Sequence, residues 1–263
     1  AGVWPGFEAS GEELTKEAAI DWLLRSKQNP SSVLMSIEGA RHNARLVRTA
    51  LTHEVWEATN ACYMKAKDLL ARKVSERDLP ATMGAIRQRT ALVRGTTHGT
   101  MMRNDIYNFA RIGTFLERAD NTARILDVKY YVLLPSVMSV GSSIDNVQWE
   151  TILRSVSARG GFRMTYGNQY DPVDIANFLI LDGRMPRSLA FCIRKMRENL
   201  DYLNATHGEQ PESCRKVADL EEKYLSRDIK AVFDQGLHEY IQSVLSRMSD
   251  LGAQIERDYR FHE

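Results

Sequence analysis

The stretch Asn104–Tyr131, NDIYNFARIGTFLERADNTARILDVKYY, decides the fold class. Its apolar residues Ile106, Phe109, Ile112, Leu116, Ala119, Ala123 and Leu126 recur at three- and four-residue steps. That is the period of an α-helix with one buried face. No proline interrupts it before Pro135, and Ser136–Ser143, rich in serine and glycine, reads as the following loop.

The same period extends in both directions. Upstream, Asn29 before Pro30 reads as an N-cap with proline at the first helical position. Val33, Ile37, Ala40, Ala44 and Val47 then form a stripe expected to be buried. A helix is predicted from Thr52 to about Arg72, and Leu79-Pro80 marks a break. Another helix carries Ile86 and Val93, with a bend near Thr96–Thr100 signalled by Gly95 and Gly99. Downstream, helices are predicted over Asp145–Arg159, Pro172–Leu181, Arg187–Thr206, Glu212–Leu225 and Ile229–Arg257, punctuated by Gly160-Gly161 and His207–Pro211. No sustained two-residue alternation supports a sheet, so the fold class is all-α.

The chain also repeats itself. Asp21–Arg48 lies over Asn177–Asn204 without a gap, so that Leu23, Pro30, Ser32, Ile37, Arg41 and Asn43 recur as Leu179, Pro186, Ser188, Ile193, Arg197 and Asn199. Apolar positions stay apolar: Trp22 aligns with Phe178, Leu24 with Ile180, Val33 with Leu189 and Val47 with Leu203. The reading is a helical bundle of two related halves at a constant offset of 156 residues. Residues 104–263 form the second half and residues 1–103 the remainder of the first, within one helical domain. The offset places the counterpart of the Asn104–Tyr131 helix before residue 1, so the chain is expected to be truncated there.

Composition excludes several classes. Of 263 residues, 43% are hydrophobic, which suffices for a full core, and the formal net charge of +1 argues against a dedicated nucleic-acid binder. No run of 18 or more apolar residues crosses a membrane, and Ala1-Gly2-Val3-Trp4-Pro5 has no signal-peptide pattern. Cys62, Cys192 and Cys214 form no C-x-x-C pair and read as reduced thiols of a cytosolic protein. There is no Glu-x-x-His pair, no H-E-x-x-H, no phosphate loop and no nucleophile elbow. His53-Glu54 and His238-Glu239 are adjacent, so on a helix each pair points apart and makes no shared cup. No metal and no cofactor is expected.

The chemistry that stands out is arginine. Arg87, Arg89, Arg94, Arg103, Arg111, Arg118 and Arg124 occur without a lysine between Lys73 and Lys129. Planar guanidinium groups serve bidentate recognition of carboxylate or phosphate, or internal ion pairs. Gly113, Glu117, Asn121 and Arg124 lie close to one helical stripe, with Arg111, Arg118 and Thr122 on the neighbouring one. Glu38, Arg41 and Arg45 form a second stripe, and Arg41-x-Asn43 returns as Arg197-x-Asn199. His98, in the expected bend, is a candidate acid or base.

These residues resemble a known family. Thr100-Met-Met-Arg103, Phe109-x-x-Ile-Gly113 and Phe115-Leu-Glu-Arg-Ala-Asp-Asn-Thr-Ala-Arg124-Ile-Leu-Asp127 are similar to the hallmark of the bacterial alpha-E domain family. Pro30-Ser-Ser32, Glu54-x-Trp56, Arg94-Gly95, Pro186-Arg-Ser188 and Gly236-Leu-His-Glu239 extend the likeness over the whole chain. The resemblance implies an all-helical protein with an earlier Glu-Arg-Ala-Glu-type helix. It also implies association with a circularly permuted ATP-grasp ligase-like protein, often with a transglutaminase-like peptidase and a proteasome-related hydrolase.

The expected function is therefore a cytoplasmic helical partner or scaffold for an ATP-grasp amide or peptide ligase. Arg94, Arg103, Arg118, Asn121 and Arg124 would bind an acidic or phosphorylated peptide-like ligand. The first alternative is an enzyme acting on a peptide or amide bond, with Glu117 as general acid or base, assisted by His98 or Asp105. The second is a purely structural protein whose Arg–Glu network cements the bundle.

Overall fold

The computed structural model describes residues 4–132, 143–208 and 211–260. Among these the chain is all-helical, without a strand. No described helix is long and apolar enough to cross a membrane. The loop expected over Ser136–Ser143 lies outside the described residues except at Ser143, which opens a helix. The chain divides into two compact units, Ala1–Arg103 and Asn104–Glu263.

The first unit contains α1 (Trp4–Ala9), α2 (Lys16–Arg25), α3 (Val33–Leu46), α4 (His53–Leu69) and α5 (Leu79–Thr100). Thr15, Ser32 and Thr52 start α2, α3 and α4. Each hydroxyl accepts from the N–H three residues on, satisfying a donor that the first turn leaves unpaired. Ser32 thus displaces Asn29 from its expected capping role. The Asn29 amide is buried instead, donating to Trp22 O (3.1 Å) and accepting from Ser31 N (3.0 Å).

Two further expectations change in this unit. α5 runs unbroken through Gly95 and Gly99 to Thr100, so His98 sits in a helix and not in a bend. An isolated helical glycine costs only about 1 kcal/mol against alanine, too little to interrupt a 22-residue helix. Second, α3 buries no residue: Val33, Ile37 and Ala44 are half-buried, while Ala40 and Val47 are exposed. α3 packs on α4 and α4 on α5. The apolar clusters here are small, Phe7–Ala18–Trp22 and Leu24–Leu70–Ile86.

The second unit contains α6 (Asp105–Val132), α7 (Ser143–Ser155), α8 (Arg159–Tyr166), α9 (Pro172–Ile180), α10 (Leu189–His207), α11 (Glu212–Leu220), α12 (Ile229–Gln235) and α13 (Leu237–Asp258). α10 and α13 both pack along α6, and α11 packs on α10 and α13. The core they enclose is continuous, with Phe115, Leu126, Leu153, Phe162 and Leu179 at 0% exposure. Gly160 and Gly161 lie inside α8 and do not break it. A Cβ on Gly161 would stand 3.2 Å from the Phe178 ring, so the glycine is there for close packing. The single helix expected over Ile229–Arg257 is two, parted at Gly236, whose φ of +99° only glycine adopts cheaply.

Ser188 caps α10 and is fully buried. It accepts from Phe191 N (3.0 Å) and donates to Asp182 O (2.6 Å), tying the helix start to the loop before it. Ser188→Ala therefore strands a donor and an acceptor and should cost about 1–3 kcal/mol, read as a lower urea midpoint with unchanged slope. An unchanged midpoint would show that this cap carries no stability.

Candidate functional site

α6 is covered on two sides. Toward α10, Phe115 meets Phe191 edge to face (centroids 5.9 Å), and Thr122 donates to Arg187 O (2.8 Å). The Arg111 and Arg118 guanidinium groups lie 4.4 and 5.7 Å from the Phe115 ring centroid, a cation–π arrangement at the edge of this seam. Toward α13, Leu116 lies against Gly252, where a Cβ would stand 3.3 Å from Leu116 Cδ2. Between these seams one edge of α6 remains open.

That open edge is polar. Gly113, Leu116, Glu117, Asp120 and Arg124 of α6 line a groove of about 340 Å³ with Leu245, Met248, Ser249 and Gly252 of α13. Glu117 Oε1 accepts from Asn121 Nδ2 (3.0 Å), four residues on. Arg124 does not pair with Glu117. It grips Asp120 through Nε (2.6 Å) and Nη2 (3.0 Å), and this charge-assisted bond, supported by Glu117 and Asp127, raises its pKa. The Arg124 side chain is 53% exposed, so Asp120 fixes the plane of a guanidinium that solvent still reaches.

One helical step further, Asp127 joins α6 to the start of α13. His238 Nδ1 meets Asp127 Oδ1 (2.5 Å), and Gln242 Nε2 donates to Asp127 Oδ2 (2.8 Å). The carboxylate is thus held by two side chains one turn apart on the facing helix. His238 is occupied there, while Glu239 folds under Gly236. Among the described residues no group of three or more His, Cys, Asp or Glu is placed to hold a metal ion.

Glu117 and Arg118 thus lie on α6, the glutamate lining the groove and the arginine over the Phe115 ring. A model described as a predicted alpha-helical domain with a conserved ER motif matches residues 1–259. The chain belongs to the Alpha-E family. No curated protein and no solved structure matches it.

The residues singled out in this Alpha-E chain separate into two sets. Glu117, Asn121 and Arg124 share the open edge of α6, with Arg118 on the α10 side and Asp105 in the first turn of the same helix. Asp105 adds to the burial, Cys214 and Asp258 effects that push the Tyr259 hydroxyl up to about 12. Arg94, His98 and Arg103 belong to the first unit. Arg103 finishes α5, donating to Met101 O (2.8 Å) and His98 O (2.6 Å). Asp120, Asp127, His238 and Gln242 were not singled out as site residues. The Asp120–Arg124 pair has a local signal, acid and base four apart on one helix. Asp127 and His238 are 111 residues apart, and only the fold joins them.

Burial pushes the Cys192 thiol up to about 12 despite nearby Arg118 and Arg187. The thiolate needed for attack is therefore scarce at neutral pH, and Cys192 in the native protein should stay inert to an aromatic disulfide reagent that labels it in denaturant. The two glycines facing the groove should also differ. Gly113→Ala meets nothing within 4 Å and should raise stability by about 0.5–1 kcal/mol through helix propensity, whereas Gly252→Ala forces Leu116 aside and should lose that gain. Equal melting shifts for both would contradict the packing described.

Proposed function

We propose that this Alpha-E chain is a binding and scaffold subunit whose α6 edge recognises a carboxylate or phosphate of a peptide-like ligand. The observation that carries the reading is the Asp120–Arg124 grip beside an open groove. It holds a guanidinium in one plane and leaves its second edge available, the geometry of bidentate oxyanion recognition. Asn121, locked by Glu117, adds a fixed polar neighbour. Glu117 is exposed and hydrogen-bonded, which favours positioning over general acid–base work. Glu117–Arg118 is then the Glu-Arg pair of the family description, the glutamate facing the groove side and the arginine the Phe115 ring. In this reading bond formation belongs to a cytoplasmic ATP-grasp ligase-like partner, with a transglutaminase-like peptidase as a further associate.

We also infer that the two units descend from one duplicated helical unit. Supporting this, the starts of α2 and α9, Lys16 and Pro172, stand 156 residues apart, as do those of α3 and α10, Val33 and Leu189. Their side-chain caps coincide too, Thr15 with Asp171 and Ser32 with Ser188. The order of packing recurs, α3 on α4 on α5 and α10 on α11 on α13.

Arg124→Lys tests the functional reading, because lysine keeps the charge but loses the fork. Calorimetric titration with the ATP-grasp partner and an acidic peptide should show affinity reduced about tenfold or more, with an unchanged melting temperature. Affinity equal to that of the unaltered protein would remove Arg124 from recognition, and product formation by the Alpha-E chain alone would establish the enzymatic alternative.

A further inference from the structure

A second cavity of the Asn104–Glu263 unit, of about 410 Å³, lies between α11 and α13 and shares no lining residue with the α6 groove. Its size falls in the range of about 300–1,000 Å³ usual for small-molecule sites. The buried part of its lining is Leu220 and Tyr224, each 3% exposed. Around them stand three cations, Lys216, Lys223 and Arg247, and three carboxylates, Asp219, Glu222 and Asp250.

These charges do not neutralise one another. Elsewhere in this unit, acids and bases three or four residues apart close into pairs, as in Arg154–Glu150 (2.7 Å), Lys195–Glu198 (2.6 Å) and Arg197–Asp201 (3.7 Å). Lys216 and Asp219, Asp219 and Lys223, and Arg247 and Asp250 have the same spacings. Among the described residues none of these three pairs closes.

The backbone beneath them is also unusual. α11 runs on into a π-helical turn, Glu221–Leu225, a rare geometry that recurs at functional sites. Helices on both sides hold it. From α10, Arg194 Nε (3.1 Å) and Arg197 Nη1 (3.0 Å) donate to the two carboxylate oxygens of Glu221. From α13, the buried Tyr240 hydroxyl donates to Tyr224 O (2.9 Å), and the Tyr224 hydroxyl meets Ser243 Oγ (2.5 Å). The turn carrying Glu222, Lys223 and Tyr224 is therefore set in place before a ligand arrives, which lowers the ordering cost of binding.

We propose that this cavity binds a zwitterionic small molecule, an α-amino acid or short peptide with free ammonium and carboxylate ends. A ligand of one sign would meet like charges on part of the lining, whereas one molecule carrying both signs satisfies both sets. Arg247 takes the carboxylate through its planar fork, and Asp250, one turn along α13, takes the ammonium. Leu220 and Tyr224 supply apolar surface for the ligand's side chain.

The test is calorimetric titration of the 263-residue chain with leucyl-leucine, with its N-acetyl form, which lacks the ammonium, and with its C-terminal amide, which lacks the carboxylate. The dipeptide should bind saturably, and each blocked form about tenfold more weakly or worse. Arg247→Gln should weaken the dipeptide about tenfold with no further effect on the amide, and Asp250→Asn should do the same while sparing the N-acetyl form. Both residues are exposed, so the melting temperature should not move. Arg124→Lys should leave dipeptide binding unchanged. Absence of saturable binding, or equal binding of all three forms, would overturn the proposal. Binding lost in Arg124→Lys and kept in Arg247→Gln would assign the dipeptide to the α6 groove, overturning the proposal while supporting the reading of that groove.

Discussion

Phe115 is enclosed completely, between Phe191 on one side and the guanidinium groups of Arg111 and Arg118 above it. That enclosure fixes the rotation of α6 about its own axis. With Phe115, Ala119 and Leu126 turned inward, residues three and four apart bring Leu116 against α13 and leave Gly113, Glu117, Asn121 and Arg124 on the remaining edge. The polar stripe is therefore a consequence of core packing. Rotating α6 by one residue, about 100°, would bury Glu117 and expose Phe115, which explains why a groove with preset side chains can exist on a helix without a loop to shape it.

The arginine excess divides along the same geometry. Arg103 closes a helix with its carbonyl contacts, Arg111 and Arg118 lie over an aromatic face, and Arg124 chelates one carboxylate through two nitrogens. Each of these uses the planarity or the fork of guanidinium, which an ammonium group lacks. A lysine-free stretch thus marks several structural demands in succession, and Arg124 combines a fixed plane with an exposed side chain. Sequence alone groups these arginines as one chemistry, and the fold sorts them.

Helix periods, helix order and the all-helical class were legible because they depend on local spacing, which side chains announce within one or two turns. Thr52 marked the start of a helix, which its hydroxyl caps, whereas the cap was misread at Asn29, where Ser32 offered a better hydroxyl three residues later. Gly95, Gly99 and Gly160 were read as breaks and are helical, while Gly236 was read through and is the break. A glycine's identity does not reveal whether its φ is positive, since that depends on where the next helix must point. Asp127 with His238 was illegible for another reason, because contacts between distant segments follow from the packed fold and leave no spacing signature.

Burial is the step that periodicity cannot supply. Val33, Ile37, Ala40, Ala44 and Val47 have the spacing of a core stripe, yet α3 buries none of them, while the matching face of α10 is closed by α6. An amphipathic pattern states what a helix can cover and what can cover it, and whether it is covered depends on a second helix being present. The two units hold that experiment within one chain. Similar helices with matching caps stand, among the described residues, with and without a helix laid across them, and the difference shows at Val47 and Leu92, half-exposed where Leu203 and Met248 are buried.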